Sequence, residues 1–427
     1  LSLDERFVPA LLKLAEIESH SGNYAKARAH YNAVLSIDEK NVTSMIGMAR
    51  VEEKQGNQAK AADWLKQATS ADKKALRPRV ALISYYLATR AADEALSMAR
   101  ETAEIFPKNP LALSLLADAQ MANGLHEKAR ATFEELVALA PESPENHARL
   151  ARVQLQLKQP AAARQHLEQA LKLRPGYFPA IALLAHLEAR SGKLDTALRL
   201  AEQAIRQSPD SAGGYELRGD LLLQAKKYAR AAASYGQAYR RQAEVKYVLR
   251  QYEALDRKGD VGKANRVLQK WLERKPADNN VRLLLASSLH GAGDVKSATA
   301  HYEKILARQP ANVIVLNNLA LIYLEDAPAR ARQLAEKAYR LVPDKKQIID
   351  TYAWVLVHNG QLQEANRLFD KALRLDPADP DIRYHKAYCL YQLGQKREAK
   401  SMLAELLGQK TDFSERKAAR QLYTKLQ

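Results

Sequence analysis

A chain of 427 residues with 47% hydrophobic and 27% charged side chains can bury enough apolar surface to offset the entropy of ordering, which excludes wholesale disorder. Its 66 Lys and Arg against 49 Asp and Glu leave a formal charge of +17, a basic surface that favours anionic partners without naming one. The lone cysteine, Cys389, excludes an internal disulfide and a CxxC zinc or redox pair, and no run reaches the ~18 apolar residues that a helix needs to cross a bilayer.

The first seven residues, LSLDERF, align in register with LSIDEKN at 35–41 and LRLDPAD at 373–379, segments that end helices further along. They are expected to be the tail of a preceding unit, with any signal peptide or lipid-anchor cysteine upstream of Leu1. From there a period runs through the chain. Ala27, Ala61, Ala95, Ala129, Ala163, Ala197 and Ala231 stand 34 residues apart, and Ala264, Ala298, Ala331, Ala365 and Ala399 continue at steps of 33 or 34. A second small-residue series, including Ala15, Ala49, Ala117, Ala151, Ala185 and Gly219, lies 12 positions upstream. Ile83 and Tyr252 interrupt it.

Within each period, apolar residues recur at steps of three and four on both sides of a short break, the pattern of two amphipathic helices. Glycine often stands at the break, as at Gly22, Gly56, Gly124, Gly192, Gly259, Gly293, Gly360 and Gly394, where it can end the first helix in a left-handed conformation. Prolines such as Pro107, Pro141, Pro175 and Pro276 then stop the second. Paired small residues allow the two helices to approach closely. One hairpin cannot bury its own apolar face, so neighbours must stack and share a core, which predicts a solenoid in place of the two or three domains that length alone suggests.

This pattern resembles the tetratricopeptide repeat (TPR), whose 34-residue unit carries small residues at its eighth, twentieth and twenty-seventh positions and proline near its thirty-second. The resemblance runs from a first unit at Val8–Asn41 to a twelfth at Pro380–Phe413, and implies an all-α, right-handed superhelix with residues 8–413 as one solenoid. After it, SERKAARQLYTKLQ at 414–427, with Ala418, Leu422 and Leu426 at four-residue steps, is expected to form a capping helix at the natural C-terminus.

Catalytic patterns are absent from the sequence. The ten histidines never lie within four residues of one another, and HExxH, GxxxxGK[ST], GxGxxG and GxSxG do not occur. No metal, cofactor or catalytic residue is assigned, and the expectation is a binding protein, not an enzyme. The TPR resemblance implies that the second, fifth, ninth and twelfth positions of each first helix project into a concave groove. In the last two units these positions place Asp350, Trp354 and Val357 beside Asp381, Tyr384, Tyr388 and Tyr391, a ladder suited to a peptide or to sugar rings. Burial by the capping helix or by neighbouring repeats is the alternative. A second candidate is basic: residues 223–275 hold 14 Lys or Arg against 5 Asp or Glu, interleaved with Tyr228, Tyr235, Tyr239, Tyr247, Tyr252 and Trp271. Here Lys226, Lys227, Arg230, Arg240, Arg241, Lys246 and Arg250 are candidates to bind an anionic polymer, polysaccharide in preference to nucleic acid, unless the stretch is only a solvated face over core tyrosines.

The C-terminal third, with NNLALIYLEDAPARARQLAEKAYRLVPDKKQIIDTYAWVLVHNGQ and DIRYHKAYCLYQLGQKREAKSMLAELL, resembles the closing repeats of the PEP-CTERM system TPR-repeat lipoproteins. That resemblance implies a scaffold for protein partners in bacterial exopolysaccharide production or protein sorting, held at the periplasmic side of the outer membrane through an upstream lipoprotein signal. The other readings are direct binding of an anionic polymer and a regulatory region of a larger enzyme.

Overall fold

The computed structural model describes residues 7–408 and 413–427, and among these it is built of 25 helices and no strand. It is an all-α solenoid of helical hairpins. The expected tail at 1–7 lies, apart from Phe7, outside the described residues, and so does 409–412 at the end of the twelfth unit. Contacts divide the chain into two compact units, Leu1–Ala225 and Lys226–Gln427.

The first unit contains α1 (Val8–His20), α2 (Tyr24–Ile37), α3 (Val42–Lys54), α4 (Gln58–Ala71), α5 (Leu76–Ala88), α6 (Ala92–Ile105) and α7 (Pro110–Ala122). It continues with α8 (His126–Leu139), α9 (Pro144–Gln156), α10 (Pro160–Leu173), α11 (Phe178–Arg190), α12 (Leu194–Gln207) and α13 (Ala212–Gln224). The second contains α14 (Tyr228–Arg241), α15 (Val245–Arg257), α16 (Val261–Arg274), α17 (Asn279–Gly291), α18 (Val295–Arg308) and α19 (Val313–Ile322). Then come α20 (Pro328–Leu341), α21 (Lys346–His358), α22 (Leu362–Leu375), α23 (Pro380–Gln392), α24 (Lys396–Gly408) and α25 (Arg416–Lys425). Within each unit every helix packs on the next, and first helices of successive repeats also touch, α3 on α5 and α21 on α23 among them. Two rows of helices result, as stacking of hairpins requires.

Local chemistry sets these boundaries. Asn41, Asn109, Ser143, Ser211, Asp278, Asn312 and Asp379 precede first helices, and each side chain accepts a hydrogen bond from a backbone N–H of the first turn, a cap that contributes about 1 kcal/mol. At the break inside the hairpin, all eight glycines marked by the sequence have positive φ, from +69° to +84°. Three repeats lack that glycine and still need the turn: Arg90, Lys158 and Lys226 adopt φ of 57–61° in its place. The tenth repeat departs further, with α19 of 10 residues where other first helices have 13.

The twelve alanines of the periodic series are all fully buried, at 0% exposure. Each fills a crossing where only a methyl fits. Crowding is more severe at Gly47, where an added Cβ would lie 2.2 Å from the Tyr31 ring. Position four of the repeat carries another device. Arg79, His147 and Arg282 each reach back six residues to a carbonyl in the preceding loop, of Lys73 at 3.0 Å, Pro141 at 2.9 Å and Pro276 at 2.6 Å, which satisfies a backbone group that helix packing would otherwise strand.

The C-terminal helix begins two residues later than Ser414, at Arg416, and its deepest residues are Ala419 and Leu422, while Ala418 and Leu426 are half-buried. It packs on α24 and covers a cluster formed with Tyr384, Ala387, Leu403 and Leu406. Cys389 is buried; its thiol donates to the Leu362 carbonyl at 3.3 Å, and desolvation pushes its pKa up to about 11. That is a packed thiol, unsuited to nucleophilic work at neutral pH.

Candidate partner-binding surfaces

In the first unit, the first-helix row opens into a cavity of about 360 Å³ between α3 and α5. Its wall includes Ile46, Arg50 and Glu53 from α3, and Arg77, Val80 and Ser84 from α5. Counted from Val42 and Leu76, these are the fifth, ninth and twelfth positions of one repeat and the second, fifth and ninth of the next. The floor is apolar, with Ala49, Leu65 and Ala81. Arg77 donates to Thr43 Oγ1 at 3.1 Å, and the Tyr85 hydroxyl donates to the Gln58 carbonyl at 2.6 Å, which fixes the ring at the cavity wall. Sequence reasoning missed this site. Its lining positions carry charged, small and aliphatic residues, which residue type alone does not distinguish from an ordinary solvated face.

In the second unit the aromatic ladder is not a ladder. Asp350 and Trp354 rise from α21, and Tyr388 from α23, but the residue that joins them is His385, which the sequence reading passed over. His385 Nδ1 lies 2.8 Å from Asp350 Oδ1, and its ring stacks on Trp354 at 4.2 Å between centroids and 23° between planes. Trp354 also meets His358 at 4.6 Å and Tyr388 at 5.3 Å, both edge-on. The carboxylate orients the imidazole, and the imidazole supports the indole face. Tyr388 accepts a hydrogen bond from Gln392 Nε2 at 2.9 Å. One lining position followed by an aromatic residue cannot reveal such a pair, because Asp350 and His385 are 35 residues apart and meet only when adjacent first helices stack.

Two residues of the expected ladder are corrected. Tyr384 is only 6% exposed, packed beneath the C-terminal helix, and desolvation pushes its hydroxyl pKa up to about 12. Val357 is buried in the core at 7%. Tyr391 is half-buried against the same cluster as Tyr384, and Asp381, at the start of α23, has a buried Oδ1 with no hydrogen-bond partner. Asp350, Trp354, His385 and Tyr388 thus form one partly buried contact group.

The basic stretch also separates into parts. Tyr235 and Tyr247 are fully buried core residues, and Trp271 is buried with its indole N–H donated to Asp278 at 2.8 Å, so none is a stacking platform. Arg250 pairs with Glu253 at 3.2 Å, Lys246 with Glu244 at 3.6 Å, and Arg241 donates to Gln237 at 2.7 Å. Lys226, Lys227, Arg230 and Arg240 are exposed. They do not converge: Lys226 occupies the left-handed turn and Lys227 the N-cap of α14, whereas Arg240 is in its last turn.

Among the described residues no group of three or more His, Cys, Asp or Glu side chains is placed to hold a metal ion, and no helix is long and apolar enough to cross a membrane.

Family models agree with a repeat architecture. Models of the tetratricopeptide repeat match residues 7–74, 283–346 and 356–426, and a model described as the C-terminal ARM domain of tetratricopeptide repeat protein 21 matches 91–282. The TPR repeat-containing protein PA4667 of Pseudomonas aeruginosa is 29% identical over 179 residues, 40% of this chain and 30% of that protein. The matched stretch thus spans less than a third of that relative. Among solved structures, a tetratricopeptide repeat protein from Parabacteroides merdae is 20% identical with a TM-score of 0.44, covering 58% of this chain and 98% of its own. The human IFIT1 dimer with PPP-AAAA is 17% identical with a TM-score of 0.40, covering 88% and 96%. The three repeat-model matches show that the chain carries tetratricopeptide repeats.

Proposed function

We propose that the chain is a non-catalytic scaffold that holds extended segments of partner proteins along its row of first helices, within a bacterial system for exopolysaccharide production or protein sorting. The observation that carries the scaffold reading is the α3–α5 cavity: its walls include the repeat positions that the TPR arrangement turns toward a ligand, and an aliphatic floor is rimmed by Arg50, Arg77 and Glu53. An apolar floor with charged rims suits a peptide that inserts side chains and pairs its polar flanks at the edge. The exopolysaccharide setting rests on the resemblance of residues 317–407 to PEP-CTERM system lipoproteins, and with it an anchored position facing the periplasm.

Photo-crosslinking from Ser84 in the native organism, followed by identification of the adducts, tests both parts. Protein adducts that disappear in Arg50→Glu/Arg77→Glu are expected. Adducts unaffected by those changes would remove the cavity from the proposal, and adducts confined to cytosolic proteins would remove the envelope setting.

A further inference from the structure

On the side of the second helices, a trough opens between α14 and α16. Two cavities of about 220 and 360 Å³ lie along it and share Gln251, Val267 and Lys270. The sequence explains the opening. The face that α14 presents is nearly bare, with Ala229, Ala233 and Gly236, while α15 supplies an aliphatic floor through Val248 and Leu255. A Cβ on Gly236 would come within 3.0 Å of Gln251 Nε2, so the glycine keeps this end of the trough clear.

Its charge is one-sided. Arg266, Lys270 and Arg274 follow one another at four-residue steps along the α16 wall, a row about 12 Å long, and Arg240 faces them from α14. Arg240, Arg266 and Lys270 are exposed and pair with no carboxylate among the described residues. The single carboxylate in the lining, Asp260, is already bonded to Lys263 at 2.8 Å. Of the seven basic residues that composition nominates in this stretch, only Arg240 belongs to the trough.

We propose that this trough is a docking site for an acidic, amphipathic protein segment, distinct from the first-helix groove. Charge complementarity selects the acid, and the floor selects the class of molecule. A nucleic acid or a polysaccharide chain would call for open ring faces on which bases or sugars stack, but Trp271 is buried and Tyr239 lies under the Arg274 guanidinium, 5.9 Å from the ring centroid and 3.2 Å from its hydroxyl. What the trough offers is aliphatic surface between rows of cations, which fits Leu or Val side chains flanked by Glu or Asp.

The test uses the full chain and a fluorescein-labelled peptide of roughly 14 residues, about four helical turns, with leucines on one face and glutamates on the other. Saturable binding is expected. Arg266→Glu/Lys270→Glu should weaken it roughly tenfold or more and flatten its salt dependence, and Ala233→Phe, which fills the trough and leaves every charge in place, should weaken it comparably. Lys26→Glu/Lys66→Glu, an equal charge change in the first unit, should leave it within about twofold, as expected for exposed charges remote from the contact. Circular dichroism checks that each variant keeps its helices, with Arg266→Gln/Lys270→Gln substituted where the reversal does not. Absence of saturable binding, equal losses in both charge-reversed pairs, an Ala233→Phe variant that binds normally, or tighter binding of an oligogalacturonate than of the peptide would each overturn the proposal.

Discussion

The two halves of the chain solve the same packing problem with different chemistry. Position eleven of the repeat is a buried site on the first helix. In the first unit it is occupied by Glu52, Gln120, Gln154 and Glu188, all under 7% exposed, and by half-buried Glu18 and Tyr86, whereas in the second it is Leu255, Leu289, Leu356 and Leu390, with a half-buried Tyr323. Leu222, in the last helix of the first unit, already follows the second pattern. Two of the polar residues are answered across the joint between repeats, where Arg28 donates to Glu52 at 2.8 Å and Arg164 pairs with Glu188; Asn57, in the same repeat, donates to the Glu52 carboxylate at 2.8 Å, and Gln154 Oε1 has no hydrogen-bond partner. Thr132 donates to Gln120 at 2.9 Å. These groups interrupt the apolar contacts, so the buried hydrophobic residues of the first unit fall into separate clusters, while one cluster runs from Val248 to Cys389 in the second. A solenoid's stability is close to a sum of repeat and interface contributions, and here the interfaces differ in kind: directional and replaceable on one side, apolar and continuous on the other.

The largest expected effect comes from importing one chemistry into the other. Leu289→Glu places a carboxylate in the continuous core where the preceding repeat offers Asn265 in place of the arginine that meets Glu52 and Glu188, and should cost on the order of 4 kcal/mol or more, read as a fall in the urea midpoint of the second unit's transition. A loss under about 1 kcal/mol, the scale of an ordinary surface change, would mean that water or a rearranged side chain reaches position eleven, and the contrast between the halves would lose its basis.

The converse exchange should be gentler. Glu188→Leu alone leaves the Arg164 guanidinium without its partner and should cost about 1–3 kcal/mol, since that arginine is 29% exposed and can turn toward solvent. Adding Arg164→Leu should recover the loss and carry stability to or above the starting value, as replacement of buried ion pairs by apolar residues does. A double variant less stable than the single one would show that the ion pair holds the joint together instead of merely specifying it. Glu52 offers an independent reading: burial raises its pKa, but the bonds from Asn57 and Arg28 outweigh that and hold it below the ordinary carboxylate value. Its contribution is present at neutral pH and is lost as pH falls through the lowered pKa.

Much of this was legible in the sequence. The alanine period located every hairpin, because a fully buried methyl at a helix crossing tolerates almost no substitution and so leaves a regular mark. The eight glycines located the turns for the same reason. What the period could not carry were pairings between units. Arg28 with Glu52 and Asp350 with His385 are separated by 24 and 35 residues, and neither is marked by residue type alone. Three tyrosines in a row suggested one ladder, although their neighbours assign Tyr384 to the core and Tyr388 to the Trp354 cluster. Side-chain burial depends on what the adjacent repeat supplies, and the C-terminal helix supplies the cover for Tyr384.

Smaller effects should follow at the hairpin turns, where the halves again differ. Arg90 and Lys158 hold positive φ in the first unit, and in the second only Lys226, at its start, does so; later turns there that adopt positive φ use glycine. A left-handed non-glycine residue costs about 1–2 kcal/mol, offset in part by the extra chain entropy a glycine loses on folding. Lys158→Gly should therefore stabilise by somewhat under about 1 kcal/mol, and Gly192→Lys should destabilise by about 1 kcal/mol. Thermal midpoints moving in opposite directions would confirm it; a stabilising Gly192→Lys would refute it.

The smallest expected effect is a pH dependence that separates the halves at position four. In the first unit His147 Nε2 meets the Pro141 carbonyl, so it carries a proton there, and its Nδ1 accepts from His166 Nδ1 at 3.0 Å. In the second, Arg282 takes the place of His147, with His301 Nδ1 3.4 Å away. Burial lowers the pKa of His166, reinforced by His147 and opposed by Glu134, and burial lowers that of His301, reinforced by Arg282 and Lys304. Both rings are thus held neutral in the folded chain while the unfolded chain protonates near pH 6.5. Stability is fully present above that pH and declines as pH falls below it, until the folded rings protonate as well. Urea midpoints followed downward from about pH 7.5 should therefore fall, and His166→Gln should flatten the slope for the first unit only, because an amide keeps a donor toward His147 and has no proton to gain. An unchanged slope in that variant would place the titration elsewhere.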